Sequence, residues 1–319
     1  MPTPILFDTD PGIDDAMALL MLARDPRAQL LGITTVFGNA PIDITTTNAL
    51  ALSERFGIEV PVARGAHKAL VRPEGDFPEI IHGRDGLGNV GLVTAGQRKE
   101  ERLAAPQFIS QLARQHSGEL VLVAVGPLTN LALALELDPE LIHHVKQVVV
   151  MGGAFGTLGH GGNMSPVAEA NIYNDPHAAD AVFTATWPVT LVGLDVTHQV
   201  LMDTAYLDRL GQEGGEEGQF IRDITQCYEA FYNHRTGGGI YSHDASAVAC
   251  ALDASPFELR QGAVRVVTEG LALGQTIQAL PHQRFPATDW DGQPHQSVCV
   301  GVDADRLRRE YHALFAKAA

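Results

Sequence analysis

Cysteine is scarce: 319 residues hold three, at positions 227, 250 and 299, widely spaced and without a CxxC pair. That argues against a disulfide framework or a structural zinc site and leaves buried free thiols in a reducing compartment. Basic charge is scarce too. The chain has 22 Lys and Arg against 38 Asp and Glu, a net charge of −16. No basic stripe interrupts that balance, so neither nucleic acid nor an anionic membrane surface is expected as a partner. No apolar run approaches the ~20 residues that span a bilayer. The opening MPTPILFDTD has no basic segment and meets acids after three apolar residues, unlike a signal peptide. A soluble, cytoplasmic protein is expected.

What is present is material for a core. Hydrophobic residues make up 45% of the chain and charged residues 19%, enough for a large α/β domain and unlike a disordered chain. Five short runs are apolar throughout: 5–7, 30–36, 120–125, 148–151 and 189–194. Unbroken β-branched runs suit strands buried on both faces. Helix-spaced stretches alternate with them, DDAMALLMLARD, ITTTNALALSERF, LTNLALALEL and DPHAADAVFTAT. The alternation predicts βαβ units in a doubly wound, mostly parallel open α/β sheet flanked by helices. Helices are also expected over 219–235, 244–252 and 303–317. Nothing marks a second domain, so 1–319 is read as one. Long loops at 66–98 and 152–166 are functional candidates, and GQEGGEEGQ at 211–219 reads as a solvated linker.

The densest chemistry lies at the start. FDTDPGIDD places Asp8, Asp10, Asp14 and Asp15 within eight positions, at the end of a strand, across a Pro-Gly turn and at the head of a helix. A helix dipole offsets about one such charge, at ~0.3–1 kcal/mol per group. A hard divalent cation, calcium or magnesium, would balance the cluster, at the strand ends where open α/β sheets bind ligands. The blander alternative is that Asp14 caps the helix and the other acids face solvent.

Later signals vary in strength. GLGNVG at 86–91 matches a dinucleotide-binding pattern but follows no strand and opens no helix, so it reads as a flexible loop. His82 precedes it, in a loop where an imidazole is usually exposed. In VAVGPLTN at 123–130, Thr129 or Asn130 suits a helix cap, while the Val125 carbonyl suits calcium. Within NMSPVAEANIYND, Asp175 reads as a cap, and Glu169 and Asn171 suit sugar hydroxyls. In YSHDASAV, Asp244 is either a cap or the carboxylate that closes the first cluster's metal shell. Its neighbour His243 suits general acid work.

Taken in order, DTDPGIDDAMAL, ITTVFGN, IHGRDGLG, GPLTNLA, VVVMGGAF, AEANIYNDPHAA and SHDA resemble the nucleoside hydrolase family of the inosine–uridine preferring type, over nearly the whole chain. The resemblance implies one calcium ion per subunit, held by Asp10, Asp15, Asp244 and the carbonyl of Val125. It implies that Asp14, Asn163, Glu169 and Asn171 grip the ribose, with Asn39 and Met151 close by. Asp10 would act as general base and His243 would assist the departing base, with Tyr232 and His82 as base-pocket candidates. The implied reaction is hydrolysis of ribonucleosides to ribose and free base, in cytoplasmic salvage and catabolism, by a homodimer or homotetramer. Two rivals remain at this level. A haloacid-dehalogenase-like phosphatase shares the strand-DxD opening, but Gly12 stands where that family carries threonine or valine. A non-catalytic nucleoside- or ribose-binding protein would not need an acid–metal–histidine constellation.

Overall fold

The computed structural model describes residues 1–73 and 75–316. The chain begins with β1 (Thr3–Thr9), α1 (Ile13–Arg24), β2 (Ala28–Thr35), α2 (Ile42–Arg55), β3 (Val62–Arg64) and the short α3 (Glu79–His82). It continues through α4 (Ala105–Gln115), β4 (Leu120–Ala124), α5 (Thr129–Leu137), β5 (Val145–Met151), α6 (Ala170–Asn174), α7 (Pro176–Thr184), β6 (Val189–Val192) and α8 (Leu194–Thr197). The last third holds β7 (Leu201–Met202), α9 (Thr204–Glu213), α10 (Gly215–Thr236), β8 (Ile240–Tyr241), α11 (Asp244–Leu252), β9 (Phe257–Val266), β10 (Thr276–Ala279), β11 (His295–Val302) and α12 (Ala304–Phe315).

Nine strands form one sheet in the order β10-β9-β11-β6-β5-β4-β1-β2-β3. Its pairings are parallel except those that β9 makes with β10 and β11. Strand pleating divides the core in two, as a doubly wound sheet requires. Ile5, Phe7, Val121 and Val123 pack on one face with α1 and α11. Leu6, Leu122, Val148 and Val150 pack on the other with α4, α5 and α7. Helix α1 is buried from Ile13 to Leu22, with little difference between its faces. A helix of that kind belongs in a protein interior, and here α10, α11 and α12 cover what the sheet does not.

The topology fixes where the site lies. From β1 the chain runs outward through β2 and β3, then returns to β4 on the opposite side of β1. The gap between the carboxyl ends of β1 and β4 is therefore a topological switch point, where such sheets bind ligands. Asp10 follows β1 and Val125 follows β4.

Two expectations fail. Residues 211–219 are not a solvated linker: α9 and α10 meet there across Gly214 alone. Gly211 lies where a Cβ would press on Arg222, and Gly218 where one would meet the Leu210 carbonyl. The glycines thus serve close helix packing. The end of the chain is also richer in strands than its periodicity suggests. β9, FELRQGAVRV, is exposed at several positions, and this sheet margin lacks the unbroken apolar signature of the central strands. Among the described residues, no helix is long and apolar enough to cross a membrane.

Candidate active site

The floor of the site is a hydrogen-bonded carboxylate network that sorts the four early aspartates into different roles. Asp15 accepts from the Thr9 hydroxyl at 2.5 Å, the amides of Asp10 and Gly12 at 3.1 and 3.0 Å, and the Asn39 side chain at 2.8 Å. It satisfies the turn before α1, the duty the sequence suggested for Asp14. Asp14 instead reaches the head of α11, accepting from the amides of His243 at 2.9 Å and Asp244 at 3.0 Å. Free amides at a helix start favour negative charge. Asp8 lies deeper, bound through one oxygen by the hydroxyl of Thr34 and the amide of Asn130.

Asp10 stands at the centre. Its Oδ2 accepts from the Asn39 amide at 2.7 Å, while its Oδ1 is buried with no hydrogen-bond partner among the described residues. Asp14 and Asp8 each leave one oxygen in the same condition. A Cβ on Gly126 would sit 2.5 Å from Asp10 Oδ1, so only glycine lets the turn after β4 pass this carboxylate. Burial pushes the carboxyls of Asp8 and Asp14 up to about 7 and raises those of Asp10, Asp15 and Asp244. Burial disfavours the charged form, and for Asp244 the neighbouring Asp14, Asp15 and Asp10 add repulsion.

A second wall faces this floor across the cleft, built from rings on α3, α10 and the segment before α11. His82 is 6% exposed, not the mobile loop imidazole its surroundings suggest. The amide of Ile13 donates to its Nδ1 at 3.3 Å, and burial lowers its pKa to about 4. The ring is thus neutral at physiological pH with its proton on Nε2. Tyr228 stacks at 5.6 Å from His82 and 4.9 Å from Tyr232, and Tyr232 lies 6.4 Å from His243. Tyr241 and His198 complete the cluster, with His198 at 5.6 Å from His243. Burial drives the His243 pKa well below its usual value, aided by His198 and His82.

Between floor and wall, the cleft is lined by Asp14, Asn39, Met151, Asn163, Glu169 and Asn171, and also by Val125, His82, Tyr232, His243 and Asp244. Eleven of the thirteen site residues singled out in the sequence line this cleft; Asp10 and Asp15 belong to the carboxylate network but not to the lining. Glu169 caps α6, accepting from the amides of Asn171 and Ile172, and also takes the Gly153 amide. Asn171 donates to the carbonyls of Val125 at 2.7 Å and Met151 at 3.2 Å. Asp244 caps nothing and faces the cleft. Thr129 and Asn130 are not caps either. Thr129 donates to Asp175, and Asn130 ties Asp8 to the Thr35 carbonyl and the Ala66 amide. Asp175 does cap α7. GLGNVG wraps the carboxylate of Asp85, which accepts from the amides of Leu87, Asn89 and Gly91, leaving those amides unavailable for a phosphate. Tyr228, Phe231 and Arg235 also line the cleft but carried no sequence signal beyond a helical pattern.

The family model described as inosine-uridine preferring nucleoside hydrolase matches residues 5–309. The chain belongs to that family. It is 40% identical over 306 residues to a probable uridine nucleosidase 2 of Arabidopsis thaliana, covering 94% of this chain and 93% of that one. A solved plant nucleoside hydrolase superposes with a TM-score of 0.95 at 36% identity, covering 100% of both chains. A purine-preferring ribonucleoside hydrolase from Gardnerella vaginalis superposes at 0.89, with 33% identity and 98% of each chain covered. The activity of this nucleoside hydrolase family is hydrolysis of the N-glycosidic bond of ribonucleosides. Relatives named for uridine and for purines both match this chain along nearly its whole length.

Proposed function

We propose that this protein is a calcium-dependent ribonucleoside hydrolase in which Asp10 is the general base and His243 assists the departing base. The carrying observation is the buried, unpartnered Oδ1 of Asp10 at the switch point, with its hydrogen-bond partner Asn39 lining a cleft that Asp14, Asp244 and His243 also line. The residues expected to hold calcium are Asp10, Asp15, Asp244 and the Val125 carbonyl. Their chemistry suits the ion, since all four offer hard oxygen, and the orphaned Asp10 oxygen marks unmet demand for a positive partner. Two of the four are otherwise engaged, Asp15 by its four donors and Val125 by Asn171. Among the described residues, no three Asp, Glu, His or Cys side chains form a closed metal-holding group. Binding would therefore redirect these hydrogen bonds. Calcium bound there supplies positive charge to sugar hydroxyls and to a water, and offsets the carboxylates.

The chain's own groups supply the rest. Asn39 holds one Asp10 oxygen and leaves the other to take a proton from water. Asp14, Asn163, Glu169 and Asn171 offer polar atoms to ribose hydroxyls, and the Asn163 Oδ1 is buried without a partner. The carboxylates favour an oxocarbenium-like sugar as the bond breaks. His243 stabilises the charge that develops on the leaving base. Release of reducing sugar from uridine, cytidine, inosine, adenosine and 2′-deoxyuridine, with and without a chelator, tests this. Ribosides should be cleaved, the deoxyriboside far more slowly, and chelation should stop both. Tight binding without base release, or full activity in chelator, would refute the proposal.

A further inference from the structure

Thr197 ends α8 beneath the site, fully buried, and its hydroxyl stands 2.8 Å from Nδ1 of His243. Two protonation patterns fit such a contact. Either the hydroxyl donates to a bare Nδ1, or a protonated Nδ1 donates to the hydroxyl, which must then place its own proton elsewhere. Among the described residues, the Thr197 hydroxyl has no other hydrogen-bond partner. A fully buried hydroxyl seldom leaves its proton unused, so the Thr197 hydroxyl donates and Nδ1 is bare and accepts. The neutral ring then carries its hydrogen on Nε2, which is buried with no partner among the described residues. A doubly protonated ring fails the same count, because its Nδ1–H would again leave the Thr197 proton without an acceptor. His82 follows the same rule, with the Ile13 amide occupying its Nδ1.

We propose that Thr197 is a positioning residue that fixes the tautomer of His243, so that Nε2–H faces the leaving base as a donor. The kinetic part rests on the leaving-group role proposed above for His243. The chemical consequence is specific. A neutral Nε2–H donates a hydrogen bond to the nitrogen or oxygen on which negative charge gathers as the glycosidic bond breaks. It does not hand its proton over, because that would leave an imidazolate in a site already crowded with carboxylates. The pair of locked imidazoles thus presents two donors to the base, which selects bases by their carbonyl and imine acceptors.

The test is the ring-nitrogen spectrum of protein carrying 15N histidine at about pH 7.5, with His243 assigned by its loss in His243→Asn. The wild type should show a bare Nδ1 and a protonated Nε2. Thr197→Val keeps the volume and removes the hydroxyl. It should shift His243 toward the other tautomer and slow uridine about 10–100-fold, while a 4-nitrophenyl riboside, whose leaving group needs no donor, slows less than about twofold. Thr197→Ser should restore both the spectrum and most of the uridine turnover. A protonated Nδ1 in the wild type, or an unchanged spectrum in Thr197→Val, would overturn the assignment. If His243→Ala slows uridine and the nitrophenyl riboside equally, the leaving-group role fails while the spectrum still decides the tautomer.

Discussion

The floor and the wall of the cleft are built by opposite means. Every aspartate of the floor is held by backbone amides or by short side chains at strand ends: Asp15 by a turn, Asp14 by the head of α11, Asp10 by the Asn39 amide. The wall is held mainly by ring packing, with Tyr228, Tyr232, Tyr241, His198 and His82 bracing one another at 4.6–5.6 Å, and one hydrogen bond each for His82 and His243. A backbone-held group keeps its place when neighbouring side chains change, whereas a ring cluster repacks. Under the roles proposed above, the bond-breaking end is the backbone-held one, and side-chain changes among the tyrosines are what would reshape the base end.

The floor should break hardest. Asp10→Asn keeps the shape of the side chain and the fold, and should reduce turnover about 10²–10⁴-fold on every riboside alike. Near-normal turnover, or losses confined to one base, would place the critical chemistry elsewhere. The wall should show itself in stability against pH. His82 is held neutral down to about 4 against an ordinary 6.5, so between these values the unfolded chain binds more protons than the folded one. Its contribution is complete above pH 6.5 and is lost as pH falls toward 4, by about 3 kcal/mol at most. Thermal melts should therefore show a steeper loss in that window for the wild type than for His82→Asn. Equal slopes would mean the ring is not buried neutral.

Calcium should separate the two regions by stability instead of rate. At about 100 times its dissociation constant, a ligand that binds only the folded state stabilises it by ~2.7 kcal/mol. Calorimetry should show a rise in melting temperature with calcium that Asp10→Asn weakens and Tyr232→Phe does not. The smallest expected effect lies at the seam. A Cβ on Gly12 would fall 2.6 Å from His82 Nδ1 and 2.7 Å from the Asn39 side-chain nitrogen. Gly12→Ala should cost ~1–3 kcal/mol of stability and disturb both regions, whereas an effect on Michaelis constants alone would show that only the wall had moved.

Sheet, strand ends and floor were legible in the sequence because they follow local rules. Unbroken β-branched runs make buried strands, and a cluster such as FDTDPGIDD has few stable uses. Legibility failed where one residue serves a distant partner. Nothing in its surroundings announces that Asp14 accepts from the amides at the head of α11, more than two hundred residues away. Asn130 reads as a helix start and instead anchors Asp8. Thr197 and Tyr228 carry no signal at all, being a threonine at a helix end and a tyrosine on a long helix. β9 escaped notice because it has neither an unbroken apolar run nor a clean alternation of buried and exposed residues.

The chain's order of motifs was enough to establish an α/β sheet, an acid-rich site at its switch point and the family chemistry that goes with it. Which oxygen of each aspartate is free, which donors surround each imidazole, and which rings line the cleft were decided only when the strands closed. Those properties depend on hydrogen bonds between residues far apart in the chain. Spacing along a sequence encodes which face a side chain takes, but not the partner it finds there.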